Sequence, residues 1–506
     1  MSKRLVLFWF GLVVFLSSAL LMILEIVAGR IIAPYVGVSL YTWSSVIGVV
    51  LGGLSLGNWL GGRWADSGAG EREVGITLLA SSAASIAVLL LLTLIAPMIQ
   101  AAEINLLGAS FIYVLALFFV PSTLLGIITP ILTTMAIGID SRAGHIVGRM
   151  NALAALGSIL GTFAAGYWLI QYFGTRNIVI SVAILLFIMG GLFLFRSNKR
   201  PLLVLLIVNV LIGSGAYLRG GMQGYCDKES AYFCIRVVNA AEMVPRGDAR
   251  ALVLDHLVHG INYRHWPDTL FTPYVHMMDE LVMFHLGKEA KTANYFFAGG
   301  GAYTSPRAVK AHSPDASITV SEIDKDVTRI AEERLFLDSE GMRIMHMDAR
   351  MALESLPEKQ FDVVVGDVFN DVIVPYHLLT REYVALIKSR LTENGIYVLN
   401  VVDVPTDPLL LKSMYKTLRA VFEHVDLWIE DKQVNVKRYT YVISARSHAP
   451  MPDHIQSQKG FKRQWLNITD KVISTGTQLA DIPLLRDDYA PVERLSADLV
   501  LKEHGI

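Results

Sequence analysis

Apolar residues run almost unbroken through seven stretches of the first 217 positions, with short polar or glycine-containing breaks between them. The stretches are about Leu5–Ala28, Ser44–Leu60, Gly75–Met98, Ser110–Gly138, His145–Ile170, Ile178–Phe195 and Pro201–Tyr217. A helix needs about 20 mostly apolar residues to cross a bilayer. The pattern therefore predicts a multi-pass α-helical membrane domain of about seven helices over 1–217. Pro121 and Pro130 predict a kink or tilt in the fourth helix. The first stretch is too long for a signal-peptide core, and no small-residue cleavage site follows it.

The pattern changes near Arg219. Over 218–290 it reads as a linker and a small β-strand region: Phe233–Asn239, Ala249–Asp255 and a turn through Gly260, with Gly247-Asp248 as a hairpin signal. From Thr292 short apolar runs alternate with amphipathic ones. Strands are predicted at Ala293–Ala298, Ser317–Ser321, Arg343–Met347, Phe361–Gly366 and Gly395–Val402. Helices are predicted at Asp324–Phe336, Arg350–Ser355, Thr380–Arg390 and Pro408–Val421. Such alternation implies an α/β, Rossmann-like domain over 291–506, its mainly parallel sheet covered on both faces. Thr440–Ser444 is expected to close the sheet as an antiparallel edge.

Charge sharpens this division. The chain is 53% hydrophobic and 18% charged, with a net charge of −1. Only 17 of its 89 Lys, Arg, Asp and Glu residues precede Arg219. These values exclude a simple soluble enzyme, a disordered chain and a basic nucleic-acid binder. A porin-type barrel would show alternating rather than continuous apolar runs. With the N-terminus inside, the inner loops hold Lys3, Arg4, Arg63, Arg72, Arg142, Arg149, Arg196, Lys199 and Arg200, and the outer loops only Arg30 and Arg176. An odd helix count then places the soluble half outside the cytoplasm; splitting the fourth segment or losing the seventh would reverse this. The expected location is a bacterial inner (cell) membrane, with the lipid bilayer as partner. Cys226 and Cys234 are either a disulfide, which suits an oxidising compartment, or two free thiols.

Within the membrane half, Gly48, Gly52, Gly53, Gly57, Gly61 and Gly62, and the pair Gly157 and Gly161, allow close helix approach. Glu25 is the only acidic residue well inside a span, and so a ligand or cation candidate. Its other reading is a structural ion pair with Arg30. The turn Gly61-Gly62-Arg63-Trp64-Ala65-Asp66 resembles the inner-loop turn of facilitator-type transporters.

Chemically loaded residues of the soluble half fall at the carboxyl ends of the predicted strands, where ligands bind in such sheets. Gly299-Gly300-Gly301 follows the first and allows backbone to approach a ligand. Glu322 ends the second, placed to accept both hydroxyls of a ribose; Asp348 ends the third, placed to accept an adenine amino proton; Asp367 ends the fourth. Glu322 and Asp348 each have a second reading as a helix cap. His256, His259, His265 and His276 cluster in sequence without a Cys or acidic partner at metal spacing, so no metal is expected. His256 and His259, on strand then turn, are expected to face different directions.

The order Gly299-Gly300-Gly301, Ser321-Glu322-Ile323-Asp324, Met347-Asp348-Ala349 and Asp362–Asp367 resembles the spermidine synthase family. Leu254-Asp255-His256-Leu257-Val258-His259 is similar to that family's Leu-Asp-Gly-x-x-Gln strand motif, and Tyr274 to its tyrosine before the first sheet-packing helix. The resemblance covers about Phe233–Arg446. The membrane half, with Glu25-Ile26-Val27-Ala28-Gly29-Arg30, is similar to multi-pass domains fused to spermidine synthase-like proteins in bacteria. The resemblance implies a class I methyltransferase-like sheet and aminopropyl transfer from decarboxylated S-adenosylmethionine, or a related reaction of S-adenosylmethionine, to a small-molecule amine. It implies ribose binding by Glu322, adenine binding by Asp348, acid/base work by Asp367, a nucleoside or substrate contact at His259, and Tyr274, Asp371 and Asp255 as substrate or gate residues. No nucleic acid is expected, and a homodimer is open as an assembly.

Departures accompany it. The family's Gly-Gly-Gly-Asp here ends in Ala302. Its Asp-x-x-Asp gate reads Asp367-Val368-Phe369-Asn370-Asp371, and His259 and His256 stand for a glutamine and a glycine. The donor class is therefore kept while the acceptor is open. Two other readings remain: a polyamine or nucleoside transporter or sensor with a non-catalytic soluble domain, and a lyase or methyltransferase acting on S-adenosylmethionine.

Overall fold

The computed structural model describes residues 2–102, 104–197, 199–245, 247–368, 375–432 and 438–502. The chain divides into two bodies, one ending at Cys234 and the other beginning at Ile235.

The first body is helical: α1 (Lys3–Val36), α2 (Leu40–Asp66), α3 (Glu71–Ala101), α4 (Leu106–Ile139), α5 (Ala143–Ala164), a π-turn (Ala165–Leu169), α6 (Ile170–Phe173), α7 (Thr175–Ser197) and α8 (Lys199–Leu218). Among the described residues seven helices are long and apolar enough to cross a membrane, α5 to α6 counting as one. α4 is a single helix through Pro121 and Pro130. Small residues set the packing. Gly57 and Gly61 of α2 lie against the backbone of Thr123 and Ile127 in α4, and Gly157 and Gly161 of α5 against Phe15 and Ala19 in α1. Larger side chains there would push the helices apart.

Residues 219–234 are tied onto these helix ends. Cys226 and Cys234 form a disulfide. The Glu229 carboxylate, at the end of the two-residue strand β1 (Lys228–Glu229), accepts from the Thr175 N–H at 2.8 Å and its hydroxyl at 2.9 Å. Arg30 donates to the carbonyls of Tyr232 and, at 2.8 Å, Ser230. This corrects the pairing of Arg30 with Glu25: the guanidinium turns to peptide carbonyls, a two-acceptor target at the helix end. One Glu25 oxygen is buried with no hydrogen-bond partner among the described residues.

The second body opens with an antiparallel meander, β2 (Cys234–Asn239), β3 (Ala249–Leu254) and β4 (Leu257–Tyr263). Gly260 lies inside β4 rather than in a turn. The reversal is at Asp255, whose φ of +51° gives the left-handed step without a glycine. Asp255 is buried, and its carbonyl accepts from Arg236.

A nine-stranded sheet follows: β5 (Asn294–Ala298), β6 (Ser317–Ser321), β7 (Met342–Met345), β8 (Phe361–Gly366), β9 (Leu391–Asp403), β10 (His424–Glu430), β11 (Tyr439–Arg446), β12 (His454–Gln456) and β13 (Gln464–Asn467). Its order is β12-β13-β10-β11-β9-β8-β5-β6-β7. β5 to β9 are mutually parallel, and β11 is antiparallel to β9. β11 is not the edge expected of Thr440–Ser444: β10, β13 and β12 continue the sheet beyond it. Helices α9 (Pro273–Leu286), α10 (Thr304–His312), α11 (Lys325–Arg334), α12 (Ala349–Glu354), α13 (Arg381–Arg390) and α14 (Leu409–Arg419) complete the layers. Phe296, Phe361, Leu399, Tyr383, Ile387, Leu410 and Met414 are buried in one continuous core. Each such side chain contributes roughly 1.5–3 kcal/mol on leaving water. From β5 the chain winds one way to β6 and β7 and the other way to β8 and β9. The reversal leaves a crevice beyond the carboxyl ends of β5 and β8, the place where open α/β sheets bind ligands.

Candidate active site

Backbone hydrogen bonds join the strand ends at this crevice. Gly299 N–H donates to the Ser321 carbonyl at 2.9 Å, Asp367 N–H to Ala298 at 3.0 Å and Glu322 N–H to Met345 at 3.1 Å. Gly299 has φ +91°, and a methyl there would overlap the carbonyl oxygen of Asp367. The glycine thus lets the ends of β5 and β8 touch.

Glu322 is 6% exposed. One of its oxygens accepts from the N–H groups of Gly300 (2.9 Å) and Gly301 (3.1 Å), the other from Asp324 (2.9 Å). Burial raises its pKa, and these backbone donors oppose the rise. The carboxylate organises the glycine loop as well as facing the crevice. Glu322→Gln puts an NH₂ where an N–H must be accepted, so it should lower unfolding stability by about 1–3 kcal/mol. Urea denaturation checks this, and a variant as stable as the parent would show that the loop holds itself.

Asp348 is the N-cap of α12. One oxygen accepts from the N–H groups of Arg350 (2.9 Å) and Met351 (3.3 Å), and the other pairs with His377 Nε2 at 2.8 Å. The capping alternative for this residue is what the geometry displays. His377 lies in the 3₁₀ turn Tyr376–Leu378. Beside it, Arg350 forms a bidentate pair with Asp487 at 2.8 and 2.7 Å.

Asp367 follows β8. Its carboxylate accepts from Asn400 Nδ2 at 3.0 Å and from the Tyr274 hydroxyl at 3.4 Å. Removal from water pushes its pKa up to about 6, and the two neutral donors pull against that rise. The same burial, with the Asp367 charge beside it, raises the Tyr274 pKa, so the phenol stays a donor. Tyr274 reaches the crevice from the first turn of α9, where Pro273 fixes the helix start.

His259 lies on β4, and its carbonyl adjoins Gly301. Burial lowers its pKa to about 4, and Nε2 has no hydrogen-bond partner among the described residues. His256 is likewise lowered to about 4, by burial and then by the charges of Arg438 and His259. His256 lies in the turn after β3, and His259 in the strand that returns from it. His276 is not among them: it bonds Glu280 at 3.3 Å, meets Arg463 and packs edge-on against Trp465. Asn370 and Asp371 lie outside the described residues.

Two residues absent from the sequence reading shape the crevice. Asn262, 1% exposed on β4, donates to the carbonyls of Ala302 (2.7 Å) and Leu335 (3.1 Å) and accepts from Thr304 at 2.8 Å. It clamps the meander to the glycine loop and the start of α10. The other is Asn400 on β9. Their signal in sequence is a carboxamide inside an apolar strand, Ile261-Asn262-Tyr263 and Leu399-Asn400-Val401. A buried amide must be hydrogen-bonded, and so marks a junction. Ala302 is 1% exposed, packed against Gly260. No carboxylate can face the crevice from that position.

A profile of the spermine/spermidine synthase domain matches residues 275–440. A polyamine aminopropyltransferase of Vibrio vulnificus is 29% identical over 134 residues, covering 26% of this chain and 44% of the relative. A polyamine aminopropyltransferase of Bacillus cereus is 25% identical over 168 residues, covering 31% of this chain and 59% of the relative. The chain thus spans about half the length of these relatives. The crystal structure of a probable spermidine synthase from Corynebacterium glutamicum aligns with a TM-score of 0.42 and 21% identity, over 49% of this chain and 92% of that one.

Proposed function

We propose that this spermidine synthase-like protein is a membrane-anchored transferase that moves an aminopropyl-type group from decarboxylated S-adenosylmethionine, or from S-adenosylmethionine, to a small-molecule amine and releases methylthioadenosine. The observation that carries the reading is Asp367: a carboxylate at the switch point, touching the glycine loop through Gly299, held by neutral donors and shifted to about 6.

The chemistry asks for such a group. An alkylammonium has a pKa of about 10.4 and no lone pair until it loses a proton. Asp367 orients the amine and takes that proton. The nitrogen then attacks the carbon next to the sulfonium, the C–S bond breaks, and its electron pair neutralises the sulfur. The glycine loop and Glu322 hold the nucleoside end, with His259 and Tyr274 flanking the reacting chain. Alignment supplies much of the acceleration, since a sulfonium leaves readily.

The reading extends to the first body, whose seven apolar helices would anchor the enzyme in the cell membrane. The inner-loop excess of Lys and Arg and the Cys226–Cys234 bond support a soluble half outside the cytoplasm.

The test uses purified, detergent-solubilised full chain with each donor, with and without a panel of amines, analysed by mass spectrometry. Methylthioadenosine that appears only with an amine, alongside an alkylated amine, is the expected result. Methylthioadenosine without any amine would point to a lyase, and nucleoside binding without turnover to a sensor or transporter; either would overturn the transferase.

A further inference from the structure

Asn400 stands on β9 next to Leu399, which pairs with Gly366 at the end of β8. It is 4% exposed, and its Nδ2 donates to Asp367 at 3.0 Å. Its carboxamide oxygen is also buried, with no hydrogen-bond partner among the described residues. An unmet buried acceptor costs free energy, so one retained beside a candidate base calls for an explanation, and a role in the site is one. The orientation of the amide is fixed by chemistry: turned over, its oxygen would face the Asp367 carboxylate, acceptor against acceptor. So the unmet oxygen sits one amide width from the base.

We propose that Asn400 is a second contact of the reacting amine, its side-chain oxygen accepting an N–H of the nucleophile while Asp367 takes the proton. This rests on the transferase reading above. A primary amine that has given up one proton keeps two N–H groups and one lone pair. The lone pair points at the carbon under attack only if the N–H directions are set. Asp367 alone fixes one contact and leaves the nitrogen free to turn about it. Of the two groups that hold Asp367, Tyr274 is committed as a donor, whereas Asn400 brings both a donor for the base and a spare acceptor for the substrate. One side chain thereby couples the position of the base to the direction of the lone pair. Nucleoside affinity lies outside its reach, because Asn400 belongs to β9 while the glycine loop and Glu322 follow β5 and β6.

The test measures steady-state kinetics of the full chain at saturating donor with the amine found to be alkylated, together with methylthioadenosine affinity by calorimetry. Asn400→Leu removes both donor and acceptor at similar volume. It should raise the KM for the amine by ~10-fold or more, leave methylthioadenosine affinity within about twofold, and move the acid limb of the kcat/KM profile to higher pH because Asp367 loses a donor to its ionised form. Asn400→Asp keeps an acceptor oxygen and adds a like charge. Above its acid limb it should hold the amine KM within about threefold of the parent, while the limb itself moves up by ~1 pH unit or more. An amine KM within twofold of the parent in Asn400→Leu overturns the inference while the transferase reading stands. Should that variant not fold, a tenfold KM rise in Asn400→Asp at high pH does the same. A parent chain that turns over no amine removes the transferase reading and this inference together.

Discussion

Asp367→Asn is expected to slow amine transfer by about 10²–10⁴-fold, the range for loss of a positioned general base, with methylthioadenosine affinity little changed. The carboxamide keeps the shape of the site and can still be held by Tyr274 and Asn400, so binding and chemistry separate. The parent should show a kcat/KM that rises with pH through about 6, where Asp367 ionises; the variant should lose that limb. Stability should move the other way. Folded Asp367 keeps its proton up to about pH 6, whereas in the unfolded chain it loses it near the ordinary carboxylate value of about 3.9. Between these values the folded state binds more protons, so this group's contribution to stability falls as pH rises through that window. Above pH 6 the Asn variant should therefore melt higher than the parent. A variant with parental turnover would assign the proton to another group, and one that lost nucleoside binding as well would make Asp367 structural.

Gly299→Ala should be the most damaging single methyl in the soluble half. The residue sits at φ +91°, which costs an L-residue roughly 1–2 kcal/mol. The added methyl also meets the Asp367 carbonyl, and overpacking of this kind costs about 1–3 kcal/mol. We expect a loss of about 2–4 kcal/mol in chemical denaturation, and transfer activity lowered by more than the loss of folded protein explains, since the methyl drives the base away from the loop. Parental stability and activity in this variant would show that β5 and β8 can part without consequence.

Much of this architecture was legible in the chain because βα repeats announce themselves. Ser317–Ser321 and Phe361–Gly366 are short segments rich in β-branched residues, and both appear as strands with those bounds. Asp367 and the glycine run stand out because they follow such runs. The meander was harder. Its reversal uses Asp255 at positive φ, a residue that sequence rules read as strand, while Gly260, which they read as a turn, lies flat in β4 against Ala302 and Thr304. β10, β12 and β13 were missed because short polar-rich strands such as His454–Gln456 carry little periodic signal of their own and exist through the strands they pair with. Asn262 and Asn400 left only a faint signal for a related reason. A carboxamide in an apolar run gains meaning only when the group it must satisfy, from another strand, is known.

The nine-stranded sheet ends in very little. One border is β12, three residues long, and the other is β7, four residues long with Arg343 exposed on it. A sheet border offers unpaired peptide groups to any similar chain, and long apolar borders seed aggregation. Confinement to a bilayer plane, as proposed for this protein, multiplies encounters between identical copies. Borders this short, one of them carrying an exposed arginine, give those encounters little to zip onto in this sheet, so crowding in the plane need not become polymerisation through it.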